Sequence, residues 1–201
     1  MSTSNAHRHP AARAAGISGV VSAVLLLSAP ALPLPEQASL ALWLIGFLLL
    51  LPFLAGIATL ARESGGRAAW LSPAIPAAGA VLVSVHLTTM GIEHAANHTS
   101  KSSPAHEALH DIGAALFTLG MLPLGLAMVA CGTVGLVGHA LPKWLAWAGV
   151  AVGLTSLVNG TMLGSESAWG FLTSILWVLA CGIRITLRGL KTSAAPQMAA
   201  A

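Results

Sequence analysis

The segment Gly91-Ile-Glu-His-Ala-Ala-Asn-His-Thr-Ser-Lys-Ser-Ser-Pro-Ala-His-Glu-Ala-Leu-His-Asp111 interrupts a chain that is otherwise strongly apolar. It contains four of the eight histidines and three of the six acidic residues. Its Ser103-Pro104 pair is typical of a helix start, with Ser as the N-cap and Pro in the first turn. The residues from Gly91 to His98 contain no proline, so the preceding helix can continue through them. We therefore predict two antiparallel neighbouring helices joined by a short turn, and we call residues 91–111 the histidine hairpin.

The rest of the chain is too apolar for a water-soluble protein. Of its 201 residues, 56% are hydrophobic and 7% are charged, against roughly 25% charged residues in an average soluble domain. So few charges cannot cover a soluble surface of this size, and we infer that a lipid bilayer is the solvent for most of the chain. The net charge of +3 then reflects charge placement across a membrane and does not indicate nucleic-acid binding.

Six apolar runs are each long enough to cross a hydrocarbon core of about 30 Å as a helix. We predict an all-α, polytopic membrane bundle of six transmembrane helices, with spans at about 14–34, 40–60, 70–90, 112–137, 144–163 and 169–186. The histidine hairpin joins the third and fourth spans. Residues 1–13 and 189–201 are predicted to be polar cytoplasmic tails.

Positive charges are distributed unevenly between the two ends of these spans. With the N-terminus in the cytoplasm, eight of the nine Lys and Arg residues fall on the cytoplasmic side, and only Lys101 falls outside. Because Lys and Arg near membrane spans collect on the cytoplasmic side, we predict that both termini are cytoplasmic. The histidine hairpin, and with it Glu36, is then extracytoplasmic.

The first apolar run also has the features of a cleavable signal peptide. Arg8 and Arg13 precede the hydrophobic stretch Ile17–Leu27, and Ala29-Pro-Ala31 is similar to an A-x-A cleavage site. The neighbouring prolines are unfavourable for cleavage, and the apolar run continues past the site. We predict that the run is a membrane span, with cleavage as the alternative.

Each helix of the histidine hairpin carries two histidines four residues apart, which places them on one helix face. Each pair can therefore offer two imidazoles to one metal ion, and three carboxylates lie close by in the sequence. The predicted metal ligands are His86, Glu93, His94, His98, His106, His110 and Asp111. An imidazole-rich set suits zinc, copper or iron, whereas Mg²⁺ and Ca²⁺ prefer shells of oxygen ligands. Solvated histidines in a polar loop, with no ligand, are the alternative.

His86 differs from the other candidates because it lies inside the third predicted span. An ionisable side chain within a membrane span is a functional hypothesis by default. One alternative is a neutral histidine that is hydrogen-bonded to a neighbouring helix. Another is haem ligation together with His106 or His110.

The five residues His106-Glu-Ala-Leu-His110 match H-E-x-x-H, in which two histidines bind zinc and the glutamate acts as the base. The motif is similar to that of zinc peptidases, including membrane-embedded ones, and it would make Glu107 catalytic. The third protein ligand would come from His94, His98, Glu93 or Glu166. The paired H-x-x-x-H boxes are also similar to those of membrane di-iron hydroxylases and desaturases, which carry more boxes than this chain.

Four segments in the second half of the chain resemble a family of bacterial six-span membrane proteins that is defined by a domain of unknown function and is common in actinobacteria. The segments are Asp111-Ile-Gly-Ala-Ala-Leu-Phe117, Met121-Leu-Pro-Leu-Gly125, Leu141-Pro-Lys-Trp-Leu-Ala-Trp-Ala-Gly149 and Trp177–Arg188. The resemblance implies a six-span fold in a bacterial inner membrane and brings no known activity. The histidine pairs lie outside the shared pattern.

Three hypotheses for the function follow from these patterns. The first is a membrane protein that binds a transition metal at the histidine hairpin without turnover. The second is a membrane zinc metalloenzyme that uses His106, Glu107 and His110. The third is a structural or assembly partner with no ligand.

Overall fold

The computed structural model describes residues 8–63, 68–138, 141–161 and 169–194, and these residues form an all-α structure. The helices of this part of the chain are α1 (Arg8–Ser28), α2 (Glu36–Glu63), α3 (Ala74–Asn97), α4 (Pro104–Val137), α5 (Lys143–Thr161) and α6 (Trp169–Ala194). A 3-10 helix, Ala69–Leu71, precedes α3. The predicted all-α fold is confirmed.

In the described part of the chain, five helices are long and apolar enough to cross a membrane. These candidate spans are Pro10–Ser28, Glu36–Glu63, Ala69–Asn97, Pro104–Val137 and Trp169–Leu187. The chain is therefore a helical protein of the multi-pass membrane type. The fifth predicted span corresponds to α5, which is not among these five candidate spans. Helix α5 has 19 residues in the part of the chain described. Positions 162 and 163, the last two of the predicted span, lie outside the described residues.

The helix ends differ from the predicted span ends at both termini of the chain. Helix α1 begins at Arg8, inside the predicted tail, because the alanine-rich residues that follow favour a helix. It stops at Ser28, before the predicted end at 34, because Pro30 and the two prolines after it cannot continue a helix. Helix α6 continues to Ala194, and residues 1–7 and 195–201 of the predicted tails lie outside the described residues.

The turn of the histidine hairpin lies where the Ser103-Pro104 pair predicts it. Helix α3 continues to Asn97, and α4 begins at Pro104. Ser103 is the N-cap of α4, and its side-chain oxygen accepts a hydrogen bond from the backbone N–H of His106 at 3.2 Å. The two helices then pack against each other along their length. The hairpin therefore fixes the end of α3 beside the start of α4.

The six helices pack in chain order, and α1 closes the arrangement by packing against α6. The α4–α5 contact depends on small residues. A Cβ added to Gly125 would lie 2.6 Å from the carbonyl oxygen of Gly153, and a Cβ added to Gly153 would lie 2.7 Å from that of Gly125. The two backbones are thus in direct contact, a close approach that small residues on both helices allow.

We expect Gly153→Ala to destabilise the protein by about 1–3 kcal/mol, the usual cost of overpacking a close contact. The added Cβ would meet backbone atoms of α4, which cannot move aside as a flexible side chain can. Thermal unfolding of the purified protein, followed by circular dichroism, measures the change.

The matched control is Gly91→Ala, because Gly91 is also a helical glycine but has no atom within 4 Å of an added Cβ. Alanine is favoured over glycine in a helix by roughly 0.5–1 kcal/mol, so this variant should be as stable as the unmodified protein or more so. Equal unfolding temperatures for the two variants would contradict the close α4–α5 contact.

Candidate functional site

Three potential metal ligands meet at one end of the bundle, and we call them the Glu36 cluster: Glu36, His94 and His98. Each offers one ligand atom, and these atoms all lie within 4.8 Å of one another. Nδ1 of His94 lies 3.2 Å from Oε1 of Glu36. The imidazole rings of His94 and His98 have their centroids 4.4 Å apart. Two helices thus contribute two imidazoles and one carboxylate to the same place.

The local sequence explains why these three residues meet. Prolines before α2 delay its start until Glu36, which occupies the first turn, where a helix dipole favours an acidic side chain. The proline-free end of α3 carries His94 and His98 four residues apart on one face. Helices α2 and α3 are antiparallel neighbours, so the start of one lies beside the end of the other.

The Glu36 carboxylate is held in its charged form by its neighbours. Nδ2 of Asn97 donates a hydrogen bond to Oε1 of Glu36 at 3.3 Å. This bond, and after it the bond from His94, lowers the pKa of Glu36 below its usual value of 4.5. The side chains of His94 and Glu36 are 45% and 46% exposed. The cluster is therefore anionic, preorganised and open to ions from water.

Glu93 and His110 form a separate pair across the histidine hairpin. Oε2 of Glu93 lies 3.5 Å from Nδ1 of His110, which makes an ion pair when the histidine is protonated. The Glu93 carboxylate lies directly against Gly113, where any Cβ would overlap it. Glycine at 113 therefore lets this side chain cross from α3 to the face of α4.

His106 is tied to the end of α3 by a hydrogen bond. Its Nδ1 donates to the carbonyl oxygen of Ala96 at 2.8 Å, because a carbonyl can only accept. Glu107 and Asp111 are exposed. Among the described residues, no group of three ligand atoms within 4.8 Å includes any residue of the H-E-x-x-H segment, and Glu166 lies outside the described residues.

The seven predicted ligands are thus divided among separate places in the structure. Only His94 and His98 share a cluster of three potential ligands in the described part of the chain. The third member, Glu36, was not among the predicted ligands. The charge distribution did place it on the same side of the membrane as the hairpin, but a sequence does not show which two turns at that side are adjacent.

A cleft of about 480 Å³ opens beneath the Glu36 cluster. Its mouth carries Glu36, Glu93, His94 and Asn97. Deeper in, Trp43, Phe47 and Phe117 line it together with His86. The cleft therefore passes from a polar, anionic mouth to an aromatic floor.

His86 is buried at this floor, with 2% of its surface exposed. Its Nδ1 lies 3.0 Å from the carbonyl oxygen of Leu82, one turn earlier in the same helix. Its ring centroid is 4.4 Å from that of Phe47. His106 and His110, the predicted partners for haem ligation, are not among the residues that line the cleft.

No protein-family model matches this chain, and no curated protein or solved structure matches it either. The function is therefore inferred from the chemistry of the Glu36 cluster and of the cleft.

We expect Asn97→Ala to raise the pKa of Glu36 towards 4.5, because it removes the largest of the interactions that lower this pKa. A carboxyl group whose pKa is lower in the folded than in the unfolded chain stabilises the folded protein at pH values above the unfolded-state pKa. This stabilisation is lost as the pH falls through the folded-state pKa. Titration of ¹³C-labelled glutamate carboxylates by NMR measures the shift.

The control for that titration is His98→Ala. His98 acts on Glu36 only through its charge and is the weakest of the causes of the lowered pKa. This variant should therefore shift the Glu36 titration less than Asn97→Ala does. The reverse order would contradict the hydrogen-bonded geometry of the cluster.

Proposed function

We propose that this protein is a multi-pass membrane protein that binds one transition-metal ion at the Glu36 cluster and does so without turnover. The observation that carries this proposal is the convergence of three ligand atoms from α2 and α3 within 4.8 Å. Two of these atoms belong to histidines of the histidine hairpin. The site thus keeps two of the five predicted imidazoles and adds a carboxylate from another helix.

The donor set selects the metal. Two imidazoles and one carboxylate suit Zn²⁺, Cu²⁺ or Fe²⁺ and leave at least one coordination position for water. For such ligands, affinity rises from Fe²⁺ to Cu²⁺ and is lower again for Zn²⁺ than for Cu²⁺. Metal affinity should fall as the pH is lowered, because protons compete for the imidazole nitrogens.

Asn97 supports metal binding at the Glu36 cluster. Its hydrogen bond to Glu36 orients the carboxylate, as the partners of metal ligands commonly do. Binding without turnover is supported by the open surroundings, since His94 and Glu36 are nearly half exposed and water is not excluded. Glu107, the base of the metalloenzyme hypothesis, is not a member of the cluster.

We further propose that α5 is the sixth membrane span. Its 19 described residues extend about 28 Å at about 1.5 Å per residue, close to the thickness of the hydrocarbon core. It packs between α4 and α6, both candidate spans, and Trp144 and Trp147 at its start are exposed, as interfacial tryptophans are. The resemblance of residues 111–188 to a bacterial six-span family supports the same proposal.

The positive charges support an orientation with both termini in the cytoplasm and the histidine hairpin outside the cell membrane. Under this proposal the Glu36 cluster faces the extracytoplasmic space. The metal would then reach the protein from outside the cell.

The test of the metal site is elemental analysis of the purified protein after reconstitution with Zn²⁺ or Cu²⁺. We expect one ion per chain in the unmodified protein. Glu36→Gln and the double variant His94→Ala, His98→Ala should each lose it, because two protein ligands remain in the first variant and only one in the second, fewer than the three or four that hold such ions in proteins. The Co²⁺-substituted protein gives an independent optical signal of the ligand set.

The matched control is the double variant His106→Ala, His110→Ala, which removes the other histidine pair of the hairpin. It should keep the ion. Loss of the ion in this control, with retention in Glu36→Gln, would instead favour the H-E-x-x-H segment and the metalloenzyme hypothesis. If neither the unmodified protein nor any variant binds stoichiometric metal, the proposed metal site is wrong and the structural-partner hypothesis remains.

The orientation is tested by cysteine labelling in a variant whose two native cysteines are replaced by alanine. We expect Lys101→Cys, in the turn of the hairpin, to react with a membrane-impermeant maleimide in intact cells. Arg62→Cys, at the other end of α2, should react only after permeabilisation. Labelling of both positions, or of Arg62→Cys alone, in intact cells would overturn the proposed topology.

A further inference from the structure

The second chemically distinctive group of this protein is the His86 side chain at the floor of the cleft. It is 2% exposed, and its Nε2 has no hydrogen-bond partner among the described residues. A buried polar atom without a protein partner is costly, and a ligand, an ion or an ordered water can supply the missing bond. His86 lines a cleft of about 480 Å³, so a ligand held in the cleft lies against this side chain.

The hydrogen bond at Nδ1 fixes the chemistry of Nε2. The carbonyl oxygen of Leu82 is an acceptor, so Nδ1 of His86 must donate the proton in their 3.0 Å bond. In the neutral imidazole the other nitrogen is then bare and acts as an acceptor. The missing partner is therefore a hydrogen-bond donor.

The walls around His86 are aromatic. The His86 ring is tilted against Phe47, contacts Phe117 edge-on at 5.5 Å and stacks with Phe171 at 5.9 Å between centroids. One edge of the ring lies against Gly120 of α4, where a Cβ would meet the ring carbon Cε1 at 2.5 Å. Of these neighbours, Phe47 and Phe117 also line the cleft, together with Trp43, and aromatic walls favour a flat, apolar ring over a polar or branched group.

We propose that this cleft binds the aromatic ring of a hydroquinone or a related phenol, whose hydroxyl group donates a hydrogen bond to Nε2 of His86. The cleft volume lies within the range of about 300–1,000 Å³ that is usual for small-molecule sites. His86 lies eight residues before His94 in α3, which is about 12 Å along the helix. A single ring at the floor of the cleft thus leaves space at the mouth for a substituent on that ring.

Other partners for Nε2 fit the surroundings less well. A water molecule needs two to four polar contacts, and the side chains around the ring are aromatic. An ammonium group would lose its hydration at the floor, while the carboxylates Glu36 and Glu93 lie at the mouth. A quinone or another carbonyl compound offers only acceptors and would face the acceptor Nε2 without a bond.

The proposal is tested by titrating the protein in lipid nanodiscs, under anaerobic and metal-free conditions, with trimethylhydroquinone. Its dimethyl ether and the oxidised quinone serve as matched ligands that have no O–H donor. Binding is followed by quenching of tryptophan fluorescence, since Trp43 lines the cleft. We expect the hydroquinone to bind about tenfold more tightly than either of the other two ligands.

The substitution arm uses His86→Leu and His86→Gln. Leucine has no acceptor, so the three ligands should bind with nearly equal affinity, whereas the glutamine carbonyl should restore part of the preference. Equal binding of the three ligands to the unmodified protein, or an unchanged preference in His86→Leu, would overturn the proposal. If His86→Leu does not fold, the comparison of the three ligands in the unmodified protein decides the question.

The control His98→Ala separates this proposal from the metal site, because His98 is not among the residues that line the cleft. It should lose the metal ion and keep the preference for the hydroquinone, while His86→Leu should do the reverse. A further arm compares the hydroquinone with its decyl derivative. Tighter binding of the decyl form identifies a membrane quinol as the source of the ring, and equal binding identifies a water-soluble phenol.

Discussion

The constraint on which this structure depends is that a chain inside a bilayer must satisfy its own backbone N–H and C=O groups. Helices do so within one segment, and this is why almost every described residue is helical. Polar side chains within the helices follow the same rule. Ser22 donates to the carbonyl oxygen of Gly46 at 2.7 Å, and Trp177 donates to that of Leu145 at 2.8 Å. Thr89 and Thr186 instead donate to carbonyl oxygens one turn earlier in their own helices. Hydrogen bonds to the backbone thus occupy many polar side chains of the bundle.

Against that background, two places stand out because their polar groups lie along one cleft. The Glu36 cluster lies at helix ends, where water can solvate charge, and its three ligand atoms converge within 4.8 Å. The His86 ring lies within the bundle, where an unsatisfied nitrogen carries a free-energy penalty. The same cleft connects them, with Glu36 and His94 at its mouth. An ion held by the cluster would therefore sit over the opening of the proposed ring site.

The sequence predicts the helices and the hairpin well because both are encoded locally. Apolar runs of about 20 residues and the Ser103-Pro104 pair each have one common structural outcome. It predicts the site only in part, because the site depends on which helices are neighbours. His94 and His98 share a face by their spacing alone, whereas Glu36 is 58 residues away from His94 and joins them only through the α2–α3 contact. His106 and His110 have the same spacing, yet their nitrogens contact Ala96 and Glu93 instead.

The two glycines of α4 that face α3 explain how one helix pair can carry both features. Gly113 makes room for the Glu93 carboxylate, and Gly120, two turns further into the bundle, makes room for the His86 ring. Seven residues separate them, which is about two helical turns and returns to the same face. With a larger side chain at either position, α3 and α4 would be held apart or the polar group would be turned away. The close α3–α4 contact is therefore what keeps Glu93 at the mouth of the cleft and His86 at its floor.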